Sequence, residues 1–302
     1  MYDIIIIGSG PAGLTAAIYA SRARLQTLVL ERDTMGAGQI AVTEQVDNYP
    51  GLPHIGGYEL GEKFREHATE LGTLFCENDV THLEKKDGYF TATLEDHTEL
   101  QARSVIYAAG TSYRRLEIAG GRLAGVSYCA TCDGAFFKKK TAAVVGGGDV
   151  AIEDAIFLAR ICEKVYLIHR RNELRGAKSL QKKLMEMENV EILWDTVTDS
   201  INGENKVESL SLTNKKTGEK RELPVDGVFI AVGISPNTEG LEDLVAMDGG
   251  HYILAGEDGK TSRPGIFAAG DVRTKNLRQI VTAVADGANC VTSAERYLNG
   301  QQ

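Results

Sequence analysis

The N-terminal part of the chain alternates short apolar runs with a glycine-rich turn. Residues 2–7 form a β-branched apolar run, a glycine turn follows at 8–13, a helical pattern covers 14–24, and a second apolar run covers 27–30. Short, continuously apolar runs are typical of buried parallel strands. These residues therefore predict a strand, a turn, a helix and a second strand in direct succession.

The same order returns near the middle of the chain. An apolar run at 141–145 is followed by a glycine turn at 146–151, a helical pattern at 152–162 and another apolar run at 165–168. Strands that alternate with helices in this way form parallel βαβ units. The chain is therefore predicted to contain two such units.

Alternating apolar and polar positions follow each unit. Such alternation is typical of half-buried strands, and it predicts an antiparallel β-meander after each βαβ unit. The predicted fold class is therefore α/β, with two Rossmann-like dinucleotide-binding domains that each combine a parallel sheet with an antiparallel meander. The further predicted elements are strands at 80–86, 89–95 and 103–107, strands at 206–213 and 225–232, a strand and turn at 265–271, and a helix at 278–298.

The first glycine turn has the spacing of a dinucleotide fingerprint. Gly8, Gly10 and Gly13 form G-x-G-x-x-G between the predicted strand and helix, and Glu31 ends the second strand 18 residues beyond Gly13. Glycines here permit a tight turn and close approach to a pyrophosphate, whose charge lies at the helix N-terminus. The acid accepts a hydrogen bond from a ribose hydroxyl. The alternative is a glycine-rich turn that binds no ligand. That alternative does not explain why the flanking strands, the helix and the terminal acid all fit the dinucleotide-binding pattern.

The second unit ends in basic residues instead of an acid. His169-Arg170-Arg171 follow its second strand, and Arg175 lies four residues later. Guanidinium groups can bind a 2′-phosphate bidentately, so this unit is predicted to bind NADPH. The alternative is a solvated basic turn, since most charged side chains lie at the surface. Two nucleotide sites in one chain indicate a flavoprotein that passes hydride from one nucleotide to the other.

Composition and charge exclude several classes of function. The 302 residues carry a net charge of −9, which disfavours binding to the backbone of nucleic acids. No apolar run approaches the roughly 18 residues needed to span a membrane, and the N-terminus shows no basic segment of a secretory signal. Five cysteines are too few for a disulfide-stapled secreted domain. The sequence therefore predicts a cytoplasmic protein.

Cys129-Ala130-Thr131-Cys132 contains the only closely spaced pair of thiols in the sequence. A zinc site needs four ligands, and no second Cys or His pair accompanies this one, so no metal site is predicted. A structural disulfide that closes a two-residue loop adds little stability, whereas C-x-x-C in a reducing compartment is usually a redox dithiol. Asp133 directly follows the second cysteine, where it could move a proton to or from a thiolate. The isolated Cys76, Cys162 and Cys290 are predicted as small core residues.

Together these motifs resemble the low-molecular-weight, bacterial-type thioredoxin reductases over essentially the whole chain. That family has a glutathione-reductase-like fold in which the NADPH domain is an insertion. The resemblance implies a discontinuous FAD domain, residues 1–112 with 241–302, and an NADPH domain at 113–240 that carries the C-x-x-C pair. The motifs concerned are GSGPAG at 8–13, GQI at 38–40, NYPG at 48–51, CATCDG at 129–134, GGGDVA at 146–151, HRRNELR at 169–175, GIFAAGD at 265–271 and RQIVTA at 278–283.

The resemblance also implies a function and a set of site residues. Members of the family are cytoplasmic homodimers that pass electrons from NADPH through FAD and a redox disulfide to oxidised thioredoxin or a thioredoxin-like protein. Cys132 corresponds to the sulfur near the flavin, Cys129 to the interchange thiol that attacks the partner's disulfide, and Asp133 to the acid/base. The implied FAD residues are Gly8, Ser9, Gly10, Pro11, Ala12, Gly13, Glu31, Gln39, Asn48, Gly270, Asp271, Arg278, Gln279 and Ile280. The implied NADPH residues are Gly146, Gly147, Gly148, Asp149, Val150, Ala151, His169, Arg170, Arg171 and Arg175.

One position departs from the family pattern. The family usually has Ser after Asp in the second glycine motif, where this chain has Val150. The loss of a hydroxyl beside a phosphate costs about 1 kcal/mol of binding, which is less than three arginines supply. NADPH therefore stays the predicted coenzyme.

Three other functions compete with this interpretation. The reductase subunit of an alkyl hydroperoxide system carries an extra N-terminal thioredoxin-like region, whereas this chain begins at the FAD strand. A dithiol oxidase, which passes electrons to oxygen, usually lacks the basic NADPH motif. A non-catalytic nucleotide-binding or NADPH-sensing protein has no use for the C-x-x-C pair, and the absence of thiol-dependent turnover would favour it.

Overall fold

In the computed structural model, each of two units is built on a β-sheet that contains parallel strands. The structure describes residues 1–32, 36–43, 46, 48–86, 88–128 and 130–300, with the side chains of these residues other than Val42, Thr131 and Cys132. The chain divides into two units, Met1–Ser112 with Ser235–Gln302, and Tyr113–Ile234.

The helices and strands alternate along the chain as the hydrophobic pattern predicts. Up to residue 113 they are β1 (Tyr2–Ile7), α1 (Pro11–Arg22), β2 (Thr27–Glu31), a 3₁₀ turn (Gly38–Val42), α2 (Gly57–Glu70), β3 (Leu74–Glu77), β4 (Val80–Lys86), β5 (Tyr89–Leu94), β6 (Glu99–Tyr107) and β7 (Thr111–Tyr113). Then come β8 (Val126–Ser127), α3 (Ala130–Asp133), a 3₁₀ turn (Gly134–Phe137), β9 (Thr141–Gly146), α4 (Asp149–Ala159), β10 (Lys164–Ile168), α5 (Lys178–Met185), β11 (Val190–Leu193), β12 (Thr196–Asn202), β13 (Ser209–Asn214), β14 (Lys220–Pro224), β15 (Gly227–Ala231) and β16 (Ile234–Pro236). The last elements are β17 (Ile266–Ala268), a 3₁₀ turn (Gly270–Val272) and α6 (Ile280–Leu298).

In the first unit, the parallel sheet and the meander share one strand. The sheet order is β3-β2-β1-β6-β5-β4, and β17 also pairs with β6. The first residues of β6 pair antiparallel with β5, whereas its last residues pair in parallel with β17. Ile4 and Ile6 of β1 pack on one face of the sheet, and Ile5 and Ile7 pack on the other. β1 is therefore buried on both faces, as its unbroken apolar run predicts.

In the second unit, the parallel sheet and the meander are separate. The parallel sheet has the order β11-β10-β9-β15-β8, and β12, β13 and β14 form an antiparallel sheet of their own. Val144 of β9 packs in the cluster that includes α4, whereas Val145 packs with Leu210 and Leu223 of the antiparallel sheet. The helices thus cover one face of the parallel sheet, and the meander covers the other.

The α/β prediction with its two parallel sheets and antiparallel meanders is confirmed, and the differences concern individual elements. The sequence interpretation did not predict the helices α2, α3 and α5 or the strands β3, β7, β8, β11, β12, β14 and β16. The C-terminal helix begins at Ile280, two residues later than predicted, because Gln279 and Thr282 form a capping box there. Among the described residues, none of the helices combines the length and hydrophobicity that a bilayer span needs.

The second crossing between the units lies at residues 234/235, whereas the resemblance to the family implied a domain boundary at 240/241. Asn237 explains the difference, because it belongs to the hydrogen-bond network of the first unit. Its backbone N–H donates to the Gly110 carbonyl at 3.0 Å, and its side-chain amide donates to the Ala109 carbonyl at 2.8 Å. Thr238 also donates to the carbonyl of His251 in the same unit.

Candidate functional site

The first glycine turn connects β1 to α1 at the carboxyl edge of the parallel sheet. A Cβ atom on Gly13 would lie 1.8 Å from the Gly8 carbonyl oxygen, so only glycine allows the helix to begin this close to the strand. Gly10 caps α1 without a side chain, Pro11 follows it, and the first turn contains no acidic residue. The N–H groups at the start of α1 therefore have no side-chain cap and suit an anion such as a pyrophosphate.

Glu31, at the end of β2, forms a bidentate ion pair that the sequence did not predict. Arg65 of α2 donates from Nη1 to Oε2 at 2.6 Å and from Nη2 to Oε1 at 2.7 Å. Glu31 is only 2% exposed. A carboxylate has about four lone-pair positions, and Arg65 takes one on each oxygen. Glu31 thus keeps acceptor capacity for a ribose hydroxyl.

Gln39 and Asn48 take part in two polar links within the first unit. The Gln39 amide donates to the Thr111 hydroxyl at 2.7 Å, and the Asn48 amide donates to Oε1 of Gln279 at 2.7 Å. Gln279 in turn caps α6, directly before Ile280. The structure therefore brings together Asn48, Gln279 and Ile280, which the resemblance implies as flavin residues.

Asp271, in the 3₁₀ turn Gly270–Val272, has a buried oxygen without a partner. Its Oδ1 makes no hydrogen bond with any of the described residues. Burial raises the pKa of Asp271, and this effect is opposed by Lys275 and Arg278. A buried acceptor without a donor costs free energy, and a hydroxyl of a flavin ribityl chain would satisfy it. This oxygen, the uncapped start of α1 and the acceptor capacity of Glu31 all fit FAD.

A buried ion cluster supports the turn that carries Asp271. Asp286 of α6 accepts hydrogen bonds from the Gly270 N–H at 2.8 Å, from Lys275 Nζ at 2.8 Å, and from Arg273 Nη2 at 2.6 Å. The side chains of Arg273, Lys275 and Asp286 are at most 7% exposed. Asp286 thus holds the chain on both sides of Asp271. The sequence interpretation missed this cluster.

Arg278 also binds the backbone of the segment that carries Asp271. Its guanidinium donates to the carbonyls of Asp271 and Arg273 at 3.4 and 3.3 Å. It also lies 4.1 Å from the centroid of the Tyr252 ring, where a cation–π contact stabilises it. Arg278 therefore fixes the backbone of the Asp271 segment, in addition to the role that the resemblance implies.

The second glycine turn, between β9 and α4, rests on His169. His169 is 4% exposed, and its Nε2 lies 2.9 Å from the Glu173 carbonyl oxygen. A Cβ atom on Gly147 would lie 2.2 Å from the imidazole ring, whereas one on Gly148 would meet nothing within 4 Å. His169, which the resemblance implies as an NADPH residue, therefore packs beneath the turn and positions it, while the open space lies at Gly148.

The loop after β10 is tied to this turn and presents three cations. The Arg175 N–H donates to the Gly147 carbonyl at 2.8 Å, and Asp149 Oδ1 accepts the Ala177 N–H at 2.6 Å. The guanidinium groups of Arg170, Arg171 and Arg175 are exposed and form no ion pair with any residue that the structure describes. Exposed guanidinium groups at the carboxyl edge of a parallel sheet suit a phosphate.

Four further residues of the two glycine motifs differ in how deeply they are buried. Ser9 and Ala12 are buried under the first turn. In the second, Ala151 is fully buried, whereas Val150 is 52% exposed in the first turn of α4. A residue at position 150 can therefore be changed with little effect on the core.

The helix α3, which contains Cys132, follows the edge strand β8 of the second unit. Cys129 lies outside the described residues, as does the side chain of Cys132. Ser127 of β8 donates to Oδ2 of Asp133 at 2.6 Å and so orients this carboxylate. A Cβ atom on Gly134 would lie 2.8 Å from the Phe157 ring, so the chain after α3 packs closely on α4. The second unit therefore contains the Cys132 helix as well as the arginine loop.

Of the remaining cysteines, the two buried ones are not suited to redox chemistry. Cys76, Cys162 and Cys290 are free thiols. Burial raises the pKa of Cys162 to about 11 and also raises that of Cys290. Because the thiolate is the reactive form, burial disfavours the reactive form of both thiols. Cys162 and Cys290 lie in the core, as predicted, whereas Cys76 is half-buried.

Known proteins resemble the chain over its whole length. Residues 2–287 match the family described as pyridine nucleotide-disulphide oxidoreductase. The chain is 45% identical over 309 residues to the thioredoxin reductase of Bacillus subtilis strain 168, covering 100% of this chain and 96% of the relative. It is 44% identical over 304 residues to the thioredoxin reductase of Listeria innocua, covering 99% and 94%. The crystal structure of Lactococcus lactis thioredoxin reductase superposes with a TM-score of 0.87 at 42% identity, covering 99% of this chain and 100% of that chain.

Proposed function

Because this chain belongs to the pyridine nucleotide-disulphide oxidoreductases, and within them to the bacterial-type thioredoxin reductases, we propose that it reduces oxidised thioredoxin or a thioredoxin-like protein with electrons from NADPH. It is an oxidoreductase, and the family implies a flavin and a pyridine nucleotide. The observation that carries the proposal is the contrast between two dinucleotide turns in one chain. A buried acid, Glu31, accompanies the first, and three exposed arginines accompany the second.

We assign FAD to the first unit. Bound there, FAD would supply a two-electron carrier between a nicotinamide and a disulfide. The uncapped N–H groups at the start of α1 would hold its pyrophosphate, Glu31 its adenosine ribose, and Asp271 its ribityl chain. The acceptor capacity of Glu31 and the unpartnered Oδ1 of Asp271 support this assignment.

We assign NADPH to the second unit. The start of α4 beyond Gly148 would hold the pyrophosphate, and Arg170, Arg171 and Arg175 would bind the 2′-phosphate. His169 and Asp149 position these groups, since His169 supports Gly147 and Asp149 accepts the Ala177 N–H. The exposure of the three guanidinium groups supports the assignment.

We assign the dithiol chemistry to Cys129 and Cys132. Cys129 would attack the disulfide of the partner, and Asp133, oriented by Ser127, would exchange a proton with the departing thiolate. In the net reaction, NADPH and one proton from solvent supply two electrons and two protons. They convert one disulfide of the partner to two thiols and leave NADP⁺.

We also propose that the protein is a cytoplasmic homodimer. The resemblance to the family supports the dimer, and sedimentation or light scattering of the purified protein would test it. The free thiols Cys76, Cys162 and Cys290 support a reducing compartment.

Anaerobic titration with NADPH, followed by oxidised thioredoxin, tests the reaction. The flavin absorbance should fall when NADPH is added and recover when thioredoxin is added. Cys129→Ser and Cys132→Ser should each abolish thioredoxin reduction while NADPH still lowers the flavin absorbance, because the NADPH site is separate from the dithiol. Cys76→Ser is the matched control and should retain turnover.

Two results would contradict the proposal. One is near-normal thioredoxin reduction by both variants of the C-x-x-C pair, which would remove these cysteines from the mechanism. The other is a purified protein that contains FMN or no flavin, as determined by chromatography of the cofactor released by heat.

A further inference from the structure

One face of α2 is shaped for close packing in the first unit. Gly57, Gly61 and Arg65 recur at intervals of four residues and therefore share a face of the helix. A Cβ atom on Gly57 would lie 2.0 Å from the Ile40 carbonyl oxygen, and one on Gly61 would lie 2.3 Å from Ala37 Cβ. The described residues 36–43 thus lie directly on the helix. Arg65, one turn further along, reaches Glu31.

The same loop also contacts the ion pair and the first glycine turn. A Cβ atom on Gly36 would lie 3.0 Å from Arg65 Nη1 and 3.2 Å from Glu31 Oε2. One on Gly38 would lie 3.2 Å from the Cα atom of Gly10. The Arg65–Glu31 pair is therefore part of the wall beside the turn that is proposed to hold the pyrophosphate.

The geometry of the pair fixes the plane of the Glu31 carboxylate. Both hydrogen bonds are short, and the guanidinium carbon lies 4.2 Å from the centroid of the Phe75 ring. The side chain of Glu31 is 1% exposed and that of Arg65 is 24% exposed. A planar guanidinium bound at both nitrogens allows one orientation of the carboxylate. Without Arg65, the buried charge of Glu31 would be uncompensated.

We propose that Arg65 is a positioning residue for the adenosine ribose of the bound flavin nucleotide. By occupying one lone pair on each Glu31 oxygen, it leaves the other lone pairs in fixed directions for ribose hydroxyls, and it thereby sets a preference for a nucleotide with a 2′-hydroxyl. The inference rests on the proposed FAD site. It adds Arg65, which lies outside both glycine motifs, to the residues of that site.

The test compares FAD with its 2′-deoxyadenosine analogue. Flavin is removed from the purified holoenzyme, and the affinity for each compound is measured by the change in flavin fluorescence. A hydrogen bond from a hydroxyl to a carboxylate changes affinity on the order of tenfold to a hundredfold, so the unmodified protein should prefer FAD by such a factor. In Arg65→Met the ratio should fall to about one, with FAD bound on the order of tenfold more weakly.

Two further variants separate the charge from the geometry. Arg65→Lys keeps the charge but lacks the planar fork, so its ratio should lie between those of the unmodified protein and Arg65→Met. Arg103→Met is the matched control, because Arg103 pairs with Asp3 at 3.1 Å at the opposite end of β1. It should keep the unmodified ratio. Thermal unfolding of each flavin-free protein checks that the variant folds.

The outcomes distinguish this inference from the proposed function. If Arg65→Met weakens both compounds equally, Arg65 only supports the fold and the inference is wrong. It is also wrong if Arg65→Met binds FAD more tightly, since Arg65 would then compete with the ribose. A ratio of one in the unmodified protein would refute the inference while leaving the FAD site intact. A protein that binds neither compound would refute the proposed function.

Discussion

The two dinucleotide units share one plan but carry their charges differently. The first unit contains exposed ion pairs such as Arg103–Asp3 but also two buried ones. Glu31 is paired with Arg65, and Asp286 is paired with Arg273 and Lys275, with both carboxylates almost completely buried. In the second unit, the ion pairs between described residues include Lys164–Glu191 and Lys216–Asp195, whose lysines are 33% and 61% exposed. Its arginine loop is exposed as well.

This difference matches the two roles proposed for the nucleotides. A buried ion pair is expensive to disturb once formed, which suits a cofactor that stays bound through many turnovers. Exposed cations are solvated and screened by salt, so returning them to solvent costs little free energy. This suits a coenzyme that binds and leaves in every cycle. Both units begin with nearly the same glycine turn. The burial of the charges beside each turn is therefore what distinguishes a site suited to a permanently bound cofactor from a site suited to an exchanging coenzyme.

Breaking the buried cluster of the first unit should have the largest effect. Asp286→Asn leaves Arg273 and Lys275 buried with too little negative charge. We expect the free energy of unfolding to fall by about 3–5 kcal/mol, measured by urea denaturation of the flavin-free protein.

Asp3→Asn is the control for this measurement. It removes the partner of Arg103 in a pair whose side chains are 25% and 46% exposed, and it should cost less than about 1 kcal/mol. A similarly small cost for Asp286→Asn would show that the buried cluster does not stabilise the first unit.

Removing the exposed cations of the second unit should affect the coenzyme and spare the fold. Arg170→Ala combined with Arg171→Ala should lower kcat/KM for NADPH on the order of 100-fold, mainly through KM, because two charge-assisted hydrogen bonds are lost. The value for NADH should change little. Arg160→Ala, at an exposed position after α4 in the same unit, is the control. Equal kcat/KM values for NADPH and NADH in the unmodified protein would refute the arginine assignment.

The smallest expected effect concerns Val150, in the second glycine turn. Val150→Ser restores the hydroxyl that the family usually has, at a side chain that is 52% exposed. We expect about 1 kcal/mol of additional NADPH binding, seen as a roughly fivefold lower KM with kcat unchanged. An unchanged KM would indicate that a hydroxyl at this position does not contact the coenzyme.

Local patterns made both glycine units predictable. A β-branched run, closely spaced glycines and a helical pattern all lie within one short stretch, so β1, α1, β9 and α4 follow from neighbouring residues. The helix α2 could not be predicted in this way. Its sequence is mostly polar and contains Gly57 and Gly61, which suggest a turn. The loop at 36–43 that packs on these glycines is distant in sequence.

The same limit applies to the candidate site. The motifs supplied Glu31 and Asp271, whereas Arg65 is separated from Glu31 by 34 positions and Asp286 from Arg273 by 13. Nothing in a local pattern encodes such pairings. The resemblance implied that His169 is a coenzyme residue, and only the packing of its ring under Gly147 reveals its supporting position.

The shared strand β6 has a consequence for how the polypeptide is made. The second unit is one continuous stretch, and its parallel sheet closes with β15, so it can fold while the ribosome is still translating. The first unit cannot complete its sheet until the C-terminal residues have been synthesised. β6 lacks β17 until residues 266–268 are synthesised, and α1 lacks the close contact of Gly287 in α6 with Ala12. The nascent chain therefore completes the unit proposed to bind NADPH first, and the proposed FAD site is completed only at the final stage of biosynthesis.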